Sequence, residues 1–127
     1  MSCQFFTLRF KLLFFLVLVL IPLSSYASLT QDQLCSCVIY AISQGVKIPP
    51  KTNSWDLRPN SYPQVGGLAL LDYNVEHVAV IQQVSDYGFL IKETNFKKCQ
   101  FTSRWISWLD PHIRGFWSSY SYYVARI

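Results

Sequence analysis

The pattern of apolar and polar positions divides the chain into three stretches of different character. Leu12 to Leu23 reads LLFFLVLVLIPL, an unbroken apolar run apart from Pro22. Next, Leu34, Val38, Ala41 and Ile42 recur at helical spacing, ended by Gly45. Thr30-Gln31-Asp32-Gln33 before them fits a capping box, with Thr30 as N-cap and Gln33 at N3. Ser36 is an alternative N-cap, which would put Cys37 in the first turn. In either case one helix is expected to carry both Cys35 and Cys37. From Val46 to Gly66 there are four prolines and no sustained period, which predicts a loop around Trp55. After Gly66-Gly67 the pattern changes to short strands. Strands are expected at Leu68 to Asp72, His77 to Val84 and Phe89 to Thr94. Arg104 to Leu109 and Trp117 to Val124 are further strand candidates. Ser85-Asp86-Tyr87-Gly88 is a turn signal that makes the second and third strands an antiparallel hairpin. One helix followed by antiparallel strands predicts an α+β domain.

The first apolar run reads as an export signal covering residues 1–27. Arg9 and Lys11 precede it, and Ser25-Tyr26-Ala27 supplies small residues for cleavage after Ala27. A spanning helix needs about 20 apolar residues, and Pro22 with Ser24-Ser25 stops this run early. Extending it back through Phe5 and Phe6 would bury Arg9 and Lys11. Membrane attachment is therefore expected only if the signal stays uncleaved. The mature domain would be residues 28–127, secreted or periplasmic, long enough to fold alone. Half of the whole chain (51%) is apolar and 14% charged, which excludes a disordered chain. The net charge of +4 shrinks on cleavage to nine basic against seven acidic side chains. Only Lys97-Lys98 are adjacent, so no nucleic-acid partner is expected.

Export also changes the cysteine arithmetic. Cys3 leaves with the signal, and Cys35, Cys37 and Cys99 remain. With an odd number in an oxidising compartment, one thiol is left over. On a helix Cys35 and Cys37 diverge by about 200°, so at most one of them pairs with Cys99. The plain alternative is three buried, reduced cysteines. A Cys-x-Cys with one distant Cys and no nearby His is not a zinc ligand set, and no metal or cofactor is expected.

Cys37, His77, Glu93 and Asn95 together carry candidate chemistry. A nucleophilic cysteine acts as thiolate, which a neighbouring imidazole favours. The imidazole in turn needs a third group to fix its tautomer and orientation. A hairpin register pairing His77 with Asn95 would set Glu93 diagonal to the histidine, with both on its face; a slip of one residue would turn them away. Taken singly, each has an ordinary reading. A histidine beside Glu76 at a strand start is commonly a surface residue, and Glu-x-Asn at a strand end is commonly solvated.

The motifs also occur in a recognisable order. Cys37-Val38-Ile39-Tyr40-Ala41 resembles the Cys-x-x-Tyr helix start of the CHAP family, the cysteine- and histidine-dependent amidohydrolases/peptidases. Pro63-Gln64-Val65-Gly66-Gly67-Leu68-Ala69-Leu70 resembles that family's Pro-x-Val-Gly segment leading into a strand. His77-Val78-Ala79-Val80-Ile81 and Glu93-Thr94-Asn95 resemble its histidine strand and its Glu-x-Asn, and Trp55 has a counterpart. The resemblance runs from Cys37 to Asn95, with a weaker echo from Arg104 to Trp117. It implies a papain-like α+β fold, in which an N-terminal helix carrying the cysteine packs on an antiparallel sheet. It implies a cysteine peptidase or amidase of the cell wall, a hydrolase acting on peptidoglycan or a peptide. Cys37 would be the nucleophile, His77 the base, Glu93 its orienting group and Asn95 a support. Tyr40 follows Cys37 by three residues, which favours Cys37 over Cys35 and makes Cys35 the expected disulfide partner of Cys99. Two positions depart from the family pattern: Gly67, where an acidic residue is frequent, and Glu76, where glycine is usual before the histidine. The competing class is a small exported binding or inhibitor protein on the same scaffold. Trp105, Trp108, Trp117, Tyr120, Tyr122 and Tyr123 would then line a partner surface. The reading preferred for these aromatics is that they complete the core.

Overall fold

A computed structural model describes residues 28–120. The expected export signal, Tyr122 and Tyr123 lie outside the described residues. Two short helices, α1 (Gln31–Cys35) and α2 (Cys37–Ser43), precede five strands. These are β1 (Leu68–Asp72), β2 (Glu76–Val84), β3 (Gly88–Thr94), β4 (Phe101–Ser107) and β5 (Ile113–Trp117). They form one antiparallel sheet in the order β4-β3-β2-β1-β5, so the domain is α+β. Among the described residues no helix is long and apolar enough to cross a membrane.

The expected single helix is instead two. Ser36 is extended (φ −141°, ψ 116°) and serves as C-cap of α1 and N-cap of α2. Both expected starts are used. Thr30 forms the capping box with Gln33, and the Ser36 hydroxyl accepts from the Ile39 amide. The break is fixed from outside, because the Thr94 hydroxyl at the end of β3 donates to the Gln33 carbonyl (2.6 Å), with the Ser36 carbonyl at 3.2 Å. The two cysteines therefore sit on separate helices.

β1, β2 and β3 lie within a residue of their expected spans, and Ser85 closes the hairpin through its amide bond to the Gly88 carbonyl. The last two strands differ: β4 begins at Phe101 and β5 ends at Trp117, where the expected final strand began. The sheet is buried on both faces. Towards α2, Leu68, Leu70, Val78 and Trp117 pack with Ala41, Val46, Ile48 and Leu57. On the opposite face Ala69, Leu71, Ala79, Ile81, Phe89, Ile91 and Ile106 form a second cluster. Each large aliphatic or aromatic side chain buried this way contributes about 1.5–3 kcal/mol. The segment between α2 and β1 is anchored by buried Val46, Ile48 and Leu57, while Trp55 is largely exposed. Of the C-terminal aromatics, Trp117 belongs to the cluster facing α2, and Trp108 packs, half-buried, against the second cluster. Trp105, however, is 55% exposed and Tyr120 75%, so neither completes the core.

Gly67 sits in a tight turn before β1. Its amide donates to the Gln64 carbonyl and its carbonyl accepts from Ile81. A Cβ there would lie 3.1 Å from the Trp117 carbonyl and 3.2 Å from that of Gln64. A side chain there would need these neighbours to give by a few tenths of an ångström.

Candidate active site

Period-two alternation sorts the strand residues into rows. His77 alternates in step with Ala79 and Ile81 along β2, and Glu93 with Phe89 and Ile91 along β3; the apolar members of both rows belong to the second cluster. Val80 pairs with Lys92 and Ile81 with Ile91, the register that, continued, sets Glu93 diagonal to His77. The ionisable residue stands at the same end of each apolar row. His77 is 6% exposed and Glu93 is completely buried. The His77 Nε2 lies 3.1 Å from Glu93 Oε1. An N–H donated there leaves Nδ1 free, and Cys37 is the other titratable neighbour acting on the ring.

Cys37 opens α2 and is the free cysteine among the described residues, because Cys35 and Cys99 form a disulfide. That bridge ties α1 to the turn after β3, beside the Thr94 bonds to the α1–α2 junction. Burial raises the proton affinity of the Cys37 thiol. The His77 hydrogen bond and charge, with the Val78 and Val38 amides, outweigh it and hold the pKa below the ordinary 9.0. Burial likewise disfavours a charged His77, but the contacts with Cys37 and Glu93 prevail and raise its pKa to about 9. Glu93 is also disfavoured as an anion by burial, yet His77 and Arg104 keep its pKa below the usual carboxylate value. These shifts favour a thiolate beside an imidazolium, backed by a carboxylate.

The structure gathers Cys37, His77 and Glu93 and leaves Asn95 aside. Asn95 has a left-handed backbone (φ 64°), which turns the chain out of β3. Its side-chain oxygen accepts from the Cys99 amide at 3.0 Å, so it shapes the turn that carries the disulfide. Glu76 also points away from His77, as alternation requires, and pairs with Arg114 at 3.1 Å.

One group at the site was not anticipated. Arg104 on β4 donates from Nε to Glu93 Oε2 (3.0 Å), and from Nη2 to Glu93 Oε1 (3.2 Å) and the Tyr73 hydroxyl (2.7 Å). Its guanidinium carbon lies 3.9 Å from the centre of the Phe96 ring. Sequence alternation held a signal for it. Ile106 is buried in β4, and Arg104 is two residues earlier on the same inward row.

No protein-family model, curated protein or solved structure matches the chain. The chemistry must be read from the geometry. Among the described residues no three His, Cys, Asp or Glu side chains gather as a metal ion would need. Two surface concavities, of about 550 and 510 Å³, are lined by other residues. Asn60, Tyr62 and Tyr120 border the first, and Tyr87, Trp105 and Ile106 the second.

Proposed function

We propose that the protein is an exported, papain-like cysteine amidohydrolase or peptidase that cleaves amide bonds in peptidoglycan. The observation that carries the reading is the line of three groups: a free thiol on α2, a buried histidine in its reach, and a buried carboxylate 3.1 Å from that ring's Nε2. In this mechanism the Cys37 thiolate, its proton held on His77, attacks the amide carbonyl. The backbone N–H of Cys37 at the helix start stabilises the oxyanion. His77 then delivers its proton to the leaving amine, and water, deprotonated by His77, hydrolyses the thioester. Glu93 fixes the ring orientation and stabilises the imidazolium. The peptidoglycan assignment rests on the resemblance of the motifs to the CHAP family and on the export signal expected for residues 1–27.

The exposed Trp105 and the concavity beside it favour a second reading, a small exported binding or inhibitor protein on this scaffold. One experiment separates the two. Protein exported from the full chain is incubated with peptidoglycan beside Cys37→Ala, and newly released amino groups are measured. Release by wild type, abolished in Cys37→Ala, is expected. Equal release by both would remove Cys37 from the mechanism. Binding without release by either would favour the binding protein. In parallel, alkylation should label Cys37 while Cys35 and Cys99 stay protected.

A further inference from the structure

We propose that Arg104 is a positioning residue, a permanent cation that keeps Glu93 charged and turned towards His77 when the imidazole gives up its proton. The inference rests on the cysteine–histidine reading above and deepens it. Glu93 is completely buried, and a buried carboxylate keeps its charge only beside cations. His77 is a cation for only part of the proposed cycle. Once its proton passes to the leaving amine, Glu93 would be a lone buried anion were His77 its sole partner. Arginine stays protonated throughout. Its fork contacts both carboxylate oxygens, at 3.0 and 3.2 Å, which fixes the plane of the carboxylate and presents Oε1 to His77. The fork is itself held by the Tyr73 hydroxyl and by the Phe96 ring.

Glu93 on β3 faces His77 from β2 and Arg104 from β4. His77 also faces Cys37 from α2. Arg104 faces Glu93 and Tyr73, and Asp110 feels its charge. Without the guanidinium, neutral His77 beside ionised Glu93 becomes the costly state. The imidazolium, paired with the carboxylate, then holds its proton to higher pH. Proton delivery to the leaving amine becomes harder, and turnover falls while substrate binding does not.

NMR titration of the His77 imidazole tests this without any substrate. The full chain is used with its disulfide formed, in a Cys37→Ser background that removes the thiol's own titration. His112 is the other histidine and is assigned by His112→Gln. In Arg104→Met the proton on the His77–Glu93 pair should be retained to a pH higher by about one pH unit, a tenfold change in proton affinity. Arg104→Lys, which restores a cation, should return the titration towards the parent. Tyr73→Phe keeps the ring and loosens the fork, so a smaller upward shift is expected. An unchanged or lowered midpoint in folded Arg104→Met would overturn the proposal. If that variant does not fold, Tyr73→Phe decides: an upward shift supports the role, an unchanged midpoint overturns it. Failure of the underlying reading looks different. The native Cys37 chain and its Cys37→Ser form would then give the same His77 titration.

Discussion

Glu76 and His77 are neighbours on β2, and alternation sends them to opposite faces of the sheet. Each face holds a Glu–Arg pair: Glu76 with Arg114 at 3.1 Å, and Glu93 with Arg104 at 3.0 Å. What differs is what else each carboxylate touches. Arg114 also donates to the Leu57 carbonyl, so its pair fastens the segment before β1 to the sheet. Glu93 shares its second oxygen with a histidine that reaches a free thiol. An ion pair by itself is therefore weak evidence of chemistry. A carboxylate divided between a permanent cation and a titrating one is stronger evidence, because its charge bears on a neighbour's proton.

The largest effects should fall on one side of this comparison. His77→Ala should lower amide cleavage by roughly 10³-fold or more, the scale seen when a catalytic base is removed. Glu93→Gln should cost roughly 10²-fold or more, since an amide no longer stabilises the imidazolium. Glu76→Gln should stay within a few-fold of wild type. Parallel kcat/KM measurements check all three. Equal losses in Glu76→Gln and Glu93→Gln would erase the functional distinction between the two pairs.

The pH dependence sharpens the same contrast. His77 has its pKa raised to about 9 in the folded chain, against 6.5 ordinarily. Its protonation therefore stabilises the fold fully below pH 6.5, and that contribution is lost as pH rises through about 9. Unfolding midpoints of wild type and His77→Ala, compared at pH 6 and pH 10, should converge at the higher pH. The Cys37 pKa lies below its ordinary 9.0, so the alkylation profile of the thiol should be centred below pH 9. An alkylation profile centred on pH 9 would show that the imidazole does not act on the thiol.

Much of this site was legible in the chain because strands repeat every two residues. Phe89 and Ile91 mark the buried row, and Glu93 falls on it; Ala79 and Ile81 do the same for His77. The Ser85–Gly88 turn marked the hairpin but not its register at the site, which shifts by one residue at a bulge between Ile81 and Gln83. Asn95 misled because two-residue parity holds only while the chain stays extended, and a left-handed residue ends it. The single expected helix failed for a comparable reason. Helical spacing ran through Ser36, but a tertiary bond from Thr94 and two competing caps break the backbone there. Arg104 lay just within a strand expected to start at that residue, so its inward row was not apparent until Phe101 opened β4. The Cys35–Cys99 bridge was expected from the family resemblance, whereas residue spacing alone left its partner open. It closes a sequence separation of 64 residues, and Cys99→Ala should lower stability by about 2–5 kcal/mol in urea unfolding.

The smallest effect tests the structural half of the comparison. Arg114→Met removes the cation beside Glu76, whose side chain is 12% exposed. Some water reaches that carboxylate, so the cost should stay below the 3–5 kcal/mol typical of a broken buried pair, at about 1–3 kcal/mol. The arginine also has a buried Nε without a hydrogen-bond partner, and methionine removes that unsatisfied donor, which offsets part of the loss. Cleavage by the folded variant should match wild type within a few-fold, because the Leu57 carbonyl and Glu76 touch neither Cys37 nor Glu93. A variant that unfolds normally but loses cleavage would instead show that the segment fastened by Arg114 shapes the substrate's approach to His77.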